Sequence, residues 1–134
     1  MNTSFDVVCY GIDKEVFKKV FKEFERELKH TEKLLRCYSE TSELFNLNKT
    51  ASNNPITVSN ELFELLLQCK EYFLKTNGCF DITIKPLVNY WKNKDNSIPD
   101  QEDKINSIKK NIGVDKIIFD KAKKSIAFEN DKLE

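Results

Sequence analysis

Residues 76–91 read Thr76-Asn77-Gly78-Cys79-Phe80-Asp81-Ile82-Thr83-Ile84-Lys85-Pro86-Leu87-Val88-Asn89-Tyr90-Trp91. A glycine in the left-handed conformation closes a helix without steric cost, so Thr76-Asn77-Gly78 predicts a helix end. Cys79 to Thr83 then reads as extended chain. Pro86, with its fixed φ and missing N–H, suits the first turn of a new helix through Trp91. The local plan is helix, tight segment, helix. Between the helices the backbone N–H groups of about four residues lack helical partners and need others, among which a ligand's phosphates are candidates. A carboxylate, hydroxyl and amide side chains and three aromatics crowd this stretch, which marks it as the candidate site.

Upstream, the chain prepares this segment. Ser59 or Asn60 caps a helix carrying Leu62, Leu66, Cys69 and Phe73 on one row and Phe63, Leu67 and Leu74 on the next, a face broad enough to predict deep burial. Ile56-Thr57-Val58 reads as a brief strand, and the polar run from Asn48 to Pro55 as a surface loop. Ser39 or Thr41 is expected to cap a short segment from Ser42 to Leu47. Tyr38 falls on the connector before it. A long helix over Lys14 to Arg36, capped by Asp13, places Phe17, Phe21, Phe24, Leu28, Thr31 and Leu35 on one face. Thr31 interrupts that stripe, so packing on a sheet is favoured over a coiled coil. Phe5 to Tyr10 reads as a strand ended by Gly11.

Downstream, Lys92 to Ser97 reads as a loop. Pro99 and Asp100 start a surface helix whose apolar residues are Ile105, Ile108 and Ile112 and which Gly113 ends. Lys116 to Phe119 and Ser125 to Phe128 predict a hairpin. The lysines at 121, 123 and 124 read as a solvated turn. Helices and short strands in this order give an α+β class, and 134 residues fit a single domain over 1–134.

Lys plus Arg and Asp plus Glu each number 22, so the formal net charge is zero and a nucleic-acid partner is disfavoured. The four cysteines, Cys9, Cys37, Cys69 and Cys79, form no C-x-x-C pair, and His30 is the only histidine, so zinc is not expected. They read as buried free thiols. No apolar run approaches the ~20 residues of a membrane helix and no secretory pattern opens the chain, so it reads as cytoplasmic. G-x-G-x-x-G, Walker and nucleophile-elbow motifs are lacking. Residue by residue, Asp81 is equally well a carboxylate capping the N–H groups of Ile82 or Thr83, and Tyr90 and Trp91 are more simply core aromatics.

Taken together, the motifs resemble those of a known family. The stretch from Thr76 to Trp91 is similar to the T-x-G-x-F-D-I-T-x-x-P-L-x-x-x-W signature of the ApbE family, the FAD:protein FMN transferases. Met1-Asn2-Thr3 resembles the start of that family's first strand. Tyr38-Ser39 with Ser42-Glu43-Leu44 and Asn46 resembles its Y-x-x-x-S segment, and Ile56 to Ser59 its strand-to-helix junction. The resemblance implies transfer of FMN from FAD onto a threonine hydroxyl of an acceptor flavoprotein, with AMP released and Mg²⁺ at the pyrophosphate. It places Met1, Tyr38, Cys79, Phe80 and Asp81 on the FAD pocket. Cys79 stands where the family usually has a small residue, and Asn2 where it has glycine. The family's D-x-G-G-x-x-K-G segment and metal ligands have no counterpart here and are expected beyond Glu134. The resemblance thus implies the N-terminal portion of a longer enzyme, with its C-terminal part missing, no metal ligand of its own, no catalytic residue assigned, and weak or no FAD binding. The family is often exported and lipid-anchored, which adds attachment to the cell envelope as an expectation if a leader is missing. The alternative is a non-catalytic binding or scaffold module that keeps flavin-pocket residues only for packing.

Overall fold

The computed structural model describes residues 4–94 and 102–133. They divide into two compact units, 1–46 and 47–134, with the boundary inside one helix.

The first unit is dominated by α1, Lys14–Leu35. Asp13 caps it as the sequence predicts, its Oδ1 accepting from the Glu15 N–H at 2.7 Å and the Val16 N–H at 3.2 Å. Phe17 stacks on Phe21 at 5.6 Å between centroids, Phe21 meets Phe24 at 6.1 Å, and Phe5 sets its edge to Phe24 at 6.2 Å. No α1 residue is buried, however. Residues 5–10 form no strand. A β-prone run becomes a strand only when another strand takes its backbone groups, and none of the described residues pairs with it. Between the helices Ser42, rather than Ser39 or Thr41, does the capping. Its fully buried hydroxyl donates to the Leu34 carbonyl at 2.9 Å and accepts from the Phe45 N–H at 3.4 Å. The helix that follows, α2, runs Glu43–Thr50 and takes in the first part of the expected Asn48 to Pro55 loop.

The second unit is built on a three-stranded antiparallel sheet. The strands are β1 Ile56–Thr57, β2 Ile117–Asp120 and β3 Ser125–Phe128, ordered β1-β3-β2. Ile117 pairs with Phe128 and Asp120 with Ser125, while Ile126 of β3 faces Ile56 on its other side. The hairpin turn is made by Asp120, whose Oδ1 accepts from the Ala122 and Lys123 N–H groups at 3.0 Å each, and by Lys124 with φ of +48°. Lys121 and Lys123 are solvated as expected, and Lys124, with its side chain 41% exposed, is also engaged with α3 residues. Its Nζ hydrogen-bonds Asn60 and reaches Glu64 Oε1 at 3.4 Å, lying 5.8 Å from the Phe63 ring centre.

Helix α3, Asn60–Lys75, is capped by Ser59, which accepts from the Leu62 N–H at 3.3 Å. Only its first half is deeply buried, through Leu62, Phe63 and Leu66, with Phe63 edge-on to Phe119 at 5.8 Å. The broad apolar face therefore overstated burial: Leu74 is 65% exposed and Tyr72 is also open. Leu47, Ala51, Val58, Val114, Ile117, Ile126, Phe128 and Leu133 complete the core. Beyond α3 come α4, Lys85–Asn93, with Pro86 in its first turn, and α5, Glu102–Lys109, which buries nothing and packs on α4. The expected cap at Asp100 lies outside the described residues. After Gly113, a 3₁₀ turn at Val114–Lys116 packs against α3 and leads into β2. No helix among the described residues is long and apolar enough to cross a membrane.

Leu62→Ala should lower unfolding free energy by about 2–5 kcal/mol in urea denaturation, the range for a fully buried leucine, whereas Leu74→Ala should change it by less than about 0.5 kcal/mol. Equal effects would contradict a core confined to the first half of α3.

Candidate functional site

The segment from Thr76 to Thr83 is a pair of interlocked turns, so the helix ends where predicted but Cys79 to Thr83 is not the extended chain expected. Helix α3 ends with two consecutive residues at positive φ, Asn77 at +50° and Gly78 at +81°. The Gly78 N–H reaches back to the Phe73 carbonyl at 2.8 Å and the Asn77 N–H to the Leu74 carbonyl at 3.2 Å, the paired bonds of a Schellman ending. Asparagine, which tolerates the left-handed region, thus takes the terminating position expected of Gly78, and glycine prolongs the reversal.

Thr76 then works on both sides of the turn. Its Oγ1 donates to the Tyr72 carbonyl at 2.8 Å and accepts from the Phe80 N–H at 3.0 Å, while the Cys79 N–H bonds the Thr76 carbonyl at 3.1 Å. The Asp81 carboxylate makes the capping contact that spacing allowed. Oδ1 accepts from the Thr83 N–H at 2.8 Å and from the Thr83 hydroxyl at 2.7 Å. The N–H groups of residues 77–80 and of Thr83 therefore have partners in their own chain, which leaves them no role as a phosphate cradle.

Sequence reasoning set Thr83 beside Asp81 but missed its contact outside the turn. Thr83 is 2% exposed, and its Oγ1, besides donating to Asp81, accepts from the Gly113 N–H at 2.7 Å. Gly113 read only as a helix stop. It sits at φ of +131°, a backbone conformation that L side chains rarely adopt, so the backbone calls for glycine. A contact between residues 30 apart leaves no local trace in composition or periodicity.

Of the predicted pocket residues, the structure brings Cys79, Phe80 and Asp81 together on this loop. Cys79 is exposed, Phe80 is 41% exposed with Tyr72 edge-on at 6.0 Å, and Asp81 is half-buried. Tyr38 belongs to the first unit, where it is 78% exposed, and Met1 lies outside the described residues. Trp91 is 46% exposed and leans on Tyr90 at 5.2 Å and under Lys94 Nζ at 5.2 Å, so it is not the core aromatic expected. The cysteines are free but none is buried. Among the described residues no three His, Cys, Asp or Glu side chains converge as a metal site.

The ApbE family model matches residues 1–134. The chain belongs to the ApbE family. It is 29% identical over 118 residues to the FAD:protein FMN transferase of Escherichia coli K12, covering 85% of this chain and 33% of that protein. The Salmonella typhimurium protein of the same name is 31% identical over 91 residues, covering 68% and 26%. This ApbE chain thus spans about one third or less of the length of these relatives. In fold it is similar to the flavin transferase ApbE of Vibrio cholerae, with TM-score 0.72 at 21% identity over 91% of this chain and 39% of that one. The Thermotoga maritima ApbE protein gives 0.67 at 20%, over 92% and 40%. Both likenesses agree with the α+β class read from the sequence.

Burial pushes the Cys69 thiol up from its ordinary pKa. Because the thiolate is the nucleophile, iodoacetamide at pH 8 should alkylate exposed Cys79 well before Cys69, and the Cys69 rate should keep rising as pH is raised further. Peptide mapping by mass spectrometry reads both, and faster labelling of Cys69 would contradict the half-buried placement.

Proposed function

We propose that this chain supplies one wall of the FAD site of a flavin transferase that moves FMN from FAD onto a threonine hydroxyl of an acceptor flavoprotein. The observation that carries this reading is the turn segment itself: in a chain of this family, the stretch matching the family signature is folded tightly yet leaves Phe80 and Cys79 open to solvent. A buried signature would favour the alternative, a module that keeps these residues for packing. In the reaction the threonine oxygen attacks the phosphorus on the FMN side of the pyrophosphate. The new P–O bond forms as the bridging P–O bond to AMP breaks, AMP keeps the bridging oxygen, and the threonine proton is lost to a base.

This chain's share is binding. The exposed Phe80 ring, braced edge-on by Tyr72, offers an aromatic surface for the flavin. Asp81, held through Oδ1, is a fixed acceptor for flavin or ribityl donors. Met1 and Tyr38 are assigned to the same pocket by resemblance alone. The described residues do not fit magnesium, since no donor cluster forms among them and Asp81 Oδ1 is already engaged. Its ligands are assigned to the part of the relatives' length that this chain does not span. The same coverage supports reading 1–134 as one portion of a larger transferase domain.

The 134-residue chain alone should transfer no flavin to a threonine-bearing acceptor with FAD and Mg²⁺, and should bind FAD weakly, well above micromolar. Turnover by the chain alone, or submicromolar binding in a fluorescence titration, would overturn the partial-site reading. Grafted into the Escherichia coli relative in place of the segment it aligns with, the chain should support flavinylation, and Asp81→Ala in that graft should lower it about tenfold or more, the effect of losing a positioning contact worth 1.4 kcal/mol. A folded graft with unchanged activity in the Asp81→Ala form would remove Asp81 from the site.

A further inference from the structure

The Asp81 turn is local, but its support is not. Thr83 Oγ1 is buried with both hydrogen-bonding capacities in use, donating to Asp81 Oδ1 at 2.7 Å and accepting from the Gly113 N–H at 2.7 Å. Gly113 is itself fixed. Its carbonyl accepts from the Lys116 N–H at 3.0 Å to open the 3₁₀ turn, Lys116 Nζ holds the neighbouring Ile112 carbonyl at 2.8 Å, and Val114 beyond it is fully buried. That 3₁₀ turn packs on α3, the helix whose end carries the signature loop. The path α3, loop, Thr83, Gly113, 3₁₀ turn and back to α3 is therefore closed.

We infer that Thr83 is a positioning residue for flavin recognition: by latching the loop onto Gly113 it sets the direction of the Asp81 carboxylate and the presentation of Phe80. The inference rests on the flavin-site reading above. A hydroxyl is required because the same atom must donate to a carboxylate and accept from an amide. Valine fills nearly the same space and can do neither, whereas serine can do both. With valine, the Gly113 N–H becomes a buried donor without its partner and Asp81 keeps only the backbone half of its turn.

The test uses the ¹⁵N-labelled 134-residue chain as wild type, Thr83→Ser and Thr83→Val, followed by amide hydrogen exchange and by titration with FAD to millimolar concentration. In Thr83→Val the Gly113 amide should exchange about tenfold faster or more, the β2–β3 hairpin amides should keep their protection, and the FAD-induced shifts of Cys79, Phe80 and Asp81 seen in wild type should be lost. Thr83→Ser should restore both the Gly113 protection and the FAD response. Wild-type exchange at Gly113 in Thr83→Val overturns the latch. A wild-type FAD response in a valine variant whose Gly113 is deprotected overturns the positioning role. Loss of hairpin protection as well, or failure of serine to rescue, makes Thr83 a fold determinant and also overturns the inference. Absence of any FAD-induced shift in wild type sinks the flavin-site reading and the role assigned to Thr83 within it, while the exchange data still decide the latch.

Discussion

The hydroxyl of Thr83, giving its proton to Asp81 and taking one from Gly113, is the constraint on which the signature loop depends. The loop's other bonds are local, to α3 and within itself. Its aromatic and thiol side chains face solvent, and the helix that delivers it has left the core by Phe73, a turn before the reversal. Net hydrogen-bond contributions of about 0.5–1.5 kcal/mol each make the latch comparable to one well-buried leucine at about 1.5–3 kcal/mol. That is small beside the core of the second unit. Its weight lies in geometry, since two bonds at one atom fix the separation of two segments that packing alone would leave free to slide.

The core supplies the frame on which such a fixed separation has meaning. Leu62, Phe63 and Leu66 of α3 are buried together with Val114, Ile117, Ile126 and Phe128 from the 3₁₀ turn and sheet. The Phe128 N–H bonds the Ala51 carbonyl just after α2, and the Glu129 N–H bonds the Lys116 carbonyl, so the end of β3 is tied to the turn after α2 and to the 3₁₀ turn. Lys124, folded back over Phe63 toward Glu64, closes the hairpin onto α3 from the other end. Exposed pairs such as Lys18 with Glu15 or Arg36 with Glu32 on α1 add only tenths of a kcal/mol each to helix formation.

What the sequence disclosed follows the range of the interactions concerned. The Asp13 and Ser59 caps, the span of α1, the start of α3, Pro86 in the first turn of α4 and the Asp81 turn all rest on contacts within four residues, and composition at fixed spacing carries them. Phe5 to Tyr10 has the composition of a strand but needs a partner that no property of the run supplies. The apolar rows of α3 mark what can be buried; whether Leu74 is buried depends on what packs over it, and the helix outruns its sheet. The cysteines were misread for a similar reason, because a preference for burial averaged over proteins says nothing of which surface covers a given thiol. Family resemblance found the loop, yet neither resemblance nor spacing pointed to Gly113 as the other end of its support.

The way the loop satisfies its own backbone changes what a ligand can gain there. Helix ends with open N–H groups bind phosphate because the donors are already aimed outward. Here residues 77–80 and Thr83 spend theirs on Leu74, Phe73, Thr76 and Asp81. A ligand on this face meets, in place of those donors, the edge-braced Phe80 ring and the carboxylate of Asp81, whose orientation is set before any ligand arrives. Prior orientation removes part of the ordering cost of binding, about 0.5–1.5 kcal/mol for each side chain that is already fixed. An aromatic ring system with polar donors along one edge matches that surface better than a bare phosphate does.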